Sequence, residues 1–151
     1  MTSLVDQDYV KVIVFQLADK EYAIPVSNVQ GIEKMMHITR VPKAEKYVKG
    51  VINLRGVVTP IIDLRERFGL PTSEYIDSTR IIIVTLENME VGFVVDSAND
   101  VIDIPINAIE HQPSVVGTAE VDFISGVAKI EQRLLILLHL EKVLNLESKI
   151  S

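Results

Sequence analysis

The chain has 151 residues, no cysteine, and 21 acidic against 15 basic side chains for a net charge of -6. A chain of this length buries about 70% of its unfolded surface, so it can build one ample core or two small ones without a covalent staple. The missing cysteines exclude disulfides, thiolate metal sites and cysteine nucleophiles, and the acidic balance argues against nucleic acid or an anionic membrane as the main partner.

Hydrophobic residues make up 48% of the sequence, yet aromatics are 5% and tryptophan is absent, so Val, Ile and Leu carry the core and strands are favoured. The opening "MTSLVDQDYV" has no basic stretch leading into a long apolar run. A cytoplasmic chain is expected.

In chain order, "VIVFQLADKEYAIPVSNVQGI" (12 to 32) reads as a strand, a polar turn, a second strand and a short helical signal over "SNVQGIEKM". "KAEKYVKG" carries another helical signal. "INLRGVVTPIIDL" (52 to 64) is a hairpin, with Arg55 and Gly56 at the turn because glycine takes positive φ there. Pro60 cannot donate to a ladder, so its strand is expected to be an edge or bulged at that point. "LRERFGL" reads as a short helix ending at Gly69, and "PTSEYIDS" (71 to 78) as the joint between two halves. "TRIIIVTL" and "EVGFVV" form a further hairpin, "LLILLHL" the last strand, and "LEKVLNLE" a closing helix.

The elements repeat. Residues 12 to 32 lie without gaps on residues 81 to 101 at an offset of 69, and 50 to 68 lie on 126 to 144 at an offset of 76. Two collinear alignments in the same order indicate a duplicated unit of about 70 residues and five short strands. A unit of that size closes most economically as a small barrel, which removes exposed edges.

The chemistry of catalysis is not apparent in this pattern. His37, His111 and His139 stand apart, without metal-ligand spacing, and no phosphate-binding glycine loop occurs. Asp63, Asp96, Asp100 and Asp103 read as turn and cap residues. Met35 and Met36 read as core. Taken alone, Arg55 reads as a solvated turn residue.

The stretch "KGVINLRGVVTPIIDLRERF" (49 to 68) strongly resembles the signature of the CheW family, the coupling proteins of bacterial chemotaxis. The similarity extends over "VIVFQLADKEYAIPVSNVQGIEK", "ITRVPKAEKYVKG", "TRIIIVTL", "EVGFVVDSANDVI" and "LLILLHLEKVL". It implies a single domain over 1-151, made of two five-stranded SH3-like barrels on a shared apolar interface, with short connecting helices and a short C-terminal helix. The pseudo-repeat subdomains would run roughly over 12-78 and 79-145, with the N-terminal strand open to exchange between barrels.

The resemblance further implies a scaffold without catalytic activity, cofactor or metal, recruited from the cytoplasm to membrane-associated receptor arrays. Its partners would be the cytoplasmic tip of methyl-accepting chemoreceptors and the regulatory domain of the histidine kinase CheA. The family's receptor-binding surface maps to Val26, Val29, Gly50, Arg55 and Thr79, and the kinase-binding surface to Ile38, Thr39, Arg40, Val41 and Pro42. Many family members have a glutamate where this chain has Gly31. Glu33, two residues on, shares the same face if the segment is extended, and is the expected ion-pair partner of Arg55. Alternatives are a CheW-like module of a CheV-type adaptor and a small ligand-binding β-barrel. The latter calls for a basic, aromatic-rich strand face that this sequence lacks.

Overall fold

A computed structural model describes residues 8–111 and 123–144. In chain order the strands are β1 (Tyr9–Leu17), β2 (Lys20–Pro25), β3 (Val29–Lys34), β4 (Val48–Leu54), β5 (Val57–Asp63), β6 (Arg80–Leu86), β7 (Met89–Val95), β8 (Ser97–Pro105), β9 (Ile109–His111), β10 (Ile124–Ile130) and β11 (Arg133–Leu138). Two short helices, α1 (Leu64–Arg67) and α2 (Leu140–Val143), each follow a strand directly.

The strands form a five-stranded sheet in the order β3-β6-β7-β5-β4 and a six-stranded sheet in the order β8-β1-β2-β11-β10-β9. These sheets do not follow the 12-78 and 79-145 halves. The β1–β2 hairpin pairs with β8 and β11, while β6–β7 pairs with β3 and β5, so each sheet takes its central hairpin from the other half of the chain.

The duplication appears in the registers. Val29 faces Val84 and Gly31 faces Ile83 across a bulge; 69 residues away in sequence, Ala98 faces Phe15 and Asp100 faces Val14 across the same bulge. Val48 faces Ile62 and Gly50 faces Ile61, just as Ile124 faces Leu138 and Gly126 faces Leu137 at the offset of 76. The segments aligned by sequence thus hold equivalent places.

Strand alternation explains why the hairpins are apolar on both faces. In β1, Val12 and Val14 enter a core inside the six-stranded sheet, while Ile13, Phe15 and Leu17 face a larger cluster between the sheets. In β6, Ile81 and Ile83 fill the core of the five-stranded sheet, while Ile82 and Val84 join that central cluster. The central cluster also takes Tyr22, Phe68 and Phe93, with Phe15 stacked on Tyr22 at 5.9 Å between ring centroids.

Two helical expectations are corrected. In "SNVQGIEKM" (27 to 35) only Ser27 and Asn28 turn, as part of one 3-10 turn, Val26–Asn28, after Pro25, and the next six residues are β3, where exposure alternates residue by residue from Val29 to Lys34. "KAEKYVKG" is turns leading into β4. "LRERFGL" does form α1; the closing helix is α2, and the tail beyond Leu144 lies outside the described residues. Met35 and Met36 pack on the core of the five-stranded sheet.

Pro60 is accommodated because β5 meets β7 only from Ile61 onward, so the missing N–H removes no bond on that side. At the equivalent place in the second unit, Ile136 already pairs with Tyr22.

Candidate functional site

Arg55 and Gly56 have φ of 53° and 86°, the two positive values of a type I′ turn, and Asn53 Oδ1 accepts the Gly56 N–H at 2.9 Å. The Arg55 side chain is 78% exposed. Its Nη2 lies 3.6 Å from Oε2 of Glu33, whose side chain is 25% exposed. Glu33 is on β3 and Arg55 caps β4, the two edge strands of the five-stranded sheet, so the pair spans the gap between those edges. A Cβ added at Gly31 would sit 3.5 Å from the same carboxylate oxygen, which places positions 31 and 33 on one face.

The other residues that the resemblance maps to receptor binding take different places. Val26 and Val29 are half-buried against the central cluster. Thr79 is buried, and its Oγ1 accepts the Ile76 N–H at 2.8 Å, which closes the joint before β6. Val29 and Thr79 lie toward opposite ends of the β3–β6 ladder, which runs from Val29 against Val84 to Lys34 against Arg80.

Gly50 is buried with φ of 144°, and a Cβ there would meet the Thr39 carbonyl oxygen at 2.1 Å. Its bareness lets Thr39 exchange two backbone hydrogen bonds with Val51, each 2.8 Å. The equivalent Gly126 admits β9 alongside β10, with the Glu110 carbonyl oxygen 2.9 Å from an added Cβ. Gly50 therefore positions the segment at 38 to 42, to which the resemblance maps the kinase. Of that segment, Ile38 is half-buried against the core of the five-stranded sheet, while Arg40, Val41 and Pro42 are exposed.

Beside this segment lies a depression of about 690 Å³ whose wall also includes Lys49, Glu66 and Tyr75, residues that the sequence reading did not single out. Lys49 Nζ donates to Glu66 Oε1 at 2.6 Å. Glu66 lies in "LRERF", but its approach to Lys49, 17 residues away in sequence, is a tertiary contact that no local pattern encodes.

A third group ties the sheets together. Asp63 caps α1, its Oδ1 accepting the Arg65 N–H at 2.9 Å, and its Oδ2 accepts the Tyr75 hydroxyl at 2.8 Å. Burial, helped by that hydrogen bond, pushes the Tyr75 phenol well above its ordinary range. Arg65 donates twice to Asp96, at 2.9 and 2.6 Å, and Asp96 Oδ2 accepts the Ala18 N–H at 2.8 Å. Burial alone would raise the Asp96 carboxyl. The Arg65 guanidinium and the Ala18 amide outweigh it and hold the group below the usual carboxylate range. Among the described residues no group of three or more His, Asp or Glu could hold a metal ion, and no helix is long and apolar enough to cross a membrane.

The model of the CheW-like domain matches residues 11–148. The chain belongs to the CheW family. It is 50% identical over 138 residues to the chemotaxis protein CheW of Bacillus subtilis, covering 91% of this chain and 88% of that protein. It is 35% identical over 135 residues to the CheW of Klebsiella aerogenes, covering 89% and 81%. The crystal structure of the scaffolding protein TtCheW from Thermoanaerobacter tengcongensis superposes with a TM-score of 0.84 at 34% identity, covering 90% of this chain and 92% of that one. A chemotaxis adaptor role follows from this kinship. Within this CheW-family chain, the fold joins the two mapped surfaces on one strand: β4 ends at the Arg55 turn and is clipped along its outer edge by Thr39.

Proposed function

We propose that the chain couples chemoreceptors to the histidine kinase CheA as a non-catalytic scaffold within signalling arrays. The receptor tip packs its apolar face on the surface around Arg55, Val26 and Val29, while the buried Gly50 and Thr79 hold the neighbouring backbone in place. The regulatory domain of the kinase docks on Ile38 to Pro42. The observation that carries this reading is β4 itself, which presents the Arg55 turn at its end and the Thr39 clip along its edge. The tight turn fixes where the Arg55 guanidinium starts from, and its approach to Glu33 sets it over the gap between the β3 and β4 edges, where its donor fork is free to meet a partner.

The test is receptor-dependent kinase activation in a reconstituted mixture, read beside melting temperature. Arg55→Ala removes a pair worth about 0–1 kcal/mol to folding, so the melting temperature stays close to wild type while activation falls sharply. Val41→Asp places a charge at the centre of an exposed apolar contact and weakens kinase binding by at least about 2 kcal/mol. Normal activation by both variants would refute the reading.

A further inference from the structure

The wall of the depression beside β4 is positively charged, on a chain whose net charge is -6. Four cations and two carboxylates line it, and the contact between Lys49 and Glu66 neutralises one of each. Arg40, Lys43 and Lys46 form no ion pair among the described residues, which leaves Glu45 as the one uncommitted carboxylate of the wall. The segment is held in shape: Pro42 fixes its own φ, Lys43 takes φ of 65°, and Thr39 is bonded to Val51. The half-buried Ile38 and Val48 supply its apolar floor, while Arg40, Lys43 and Lys46 are exposed.

We propose that this depression is a docking pocket for an acidic segment of the partner protein, one that sets a carboxylate against Lys43 and Lys46 and an apolar side chain on the floor. The proposal rests on the assignment of the kinase to the Ile38 to Pro42 face, and it names the chemistry the kinase must bring there. A concave wall of one sign focuses the field and steers an oppositely charged partner toward it. Charges at the rim of an interface act mainly through the association rate and its salt dependence, while the apolar centre governs dissociation. A nucleic acid is a poor occupant, because the rest of the acidic chain would repel it.

The experiment titrates the regulatory domain of the kinase against the intact chain at low and at high salt, for wild type, the double variant Lys43→Glu/Lys46→Glu, and Val41→Asp. The double variant should bind about tenfold more weakly at low salt, through slower association, and approach wild type at high salt. Val41→Asp should be weak at both. If the double variant matches wild type at low salt while Val41→Asp fails, the acidic docking is overturned and the surface assignment survives. A loss of equal size at both salts would overturn it too, since a screened attraction must fade with salt. If all three bind alike, the surface assignment falls with it.

Discussion

Two arginines show how burial sets what a guanidinium does. Arg55 is 78% exposed and 3.6 Å from its carboxylate, so its pair contributes little to folding and remains available to a partner. Arg65 is 18% exposed and its donor fork grips Asp96 at 2.9 and 2.6 Å, while Asp96 also receives the Ala18 amide from the other sheet. Asp96→Asn should therefore cost about 1–3 kcal/mol at neutral pH. The sign of the pH dependence follows from the lowered carboxyl: its stabilisation is complete above the ordinary value of 3.8 and is lost as acid takes the pH down through the lower folded-state value. Urea melts at a series of pH values should show wild type and Asp96→Asn converging in strong acid; a constant gap would place the stabilisation elsewhere. The Glu33–Arg55 proximity was legible only because the family resemblance ties position 31 to this arginine, and period-2 geometry then puts residue 33 on the same face. The Asp96 link was not, because its partners lie 31 and 78 residues away and no local pattern announces them.

At the scale of elements, Gly50 connects β4 to the segment at Thr39. Gly50→Ala inserts a methyl 2.1 Å from the Thr39 carbonyl oxygen at a φ of 144°, so the segment must lift away and both bonds to Val51 must break. The expected cost exceeds about 1 kcal/mol, with a local signature. Amide exchange at Thr39 should accelerate while the β1 and β2 amides keep their protection; retained protection at Thr39 would show that the strand absorbs the methyl in another way. The resemblance mapped Gly50 to the receptor-binding surface, but its approach to Thr39 was not legible, since the reason for the glycine is a tertiary neighbour. The hairpin turn at Arg55 and the cap at Asp63 were readable because their causes lie within three residues. The supposed helix over "SNVQGIEKM" misled because its polar spacing suits a helix as well as a strand with one exposed face, and Gly31 and the preceding Pro25 carried the deciding information.

At the scale of the molecule, the central cluster makes the two sheets one cooperative unit. Phe15 is fully buried there and stacks on Tyr22, so Phe15→Ala should cost about 3–5 kcal/mol. Thermal unfolding of both wild type and variant should remain a single transition seen alike by calorimetry and circular dichroism. Two separated transitions would show that the sheets melt independently. Duplication could be read from the chain, and the resemblance left the N-terminal strand open to exchange, but the exchange of both whole hairpins could not be read. Alternation tells which side chains point together and leaves open which strand lies alongside, and β1–β2 would bury the same residues against either set of partners.

That exchange has a consequence for how the molecule comes into being. During synthesis the β1–β2 hairpin emerges long before β8 and β11, the strands on either side of it, so the six-stranded sheet cannot close until nearly all the described chain has left the ribosome. Contacts between segments as distant as Glu21 and Arg133 make for slow acquisition of the native topology. Cutting the backbone within residues 71 to 78 would leave two fragments, each holding the hairpin that the other's sheet requires. Neither should fold alone, yet mixed together they should recombine into the native arrangement.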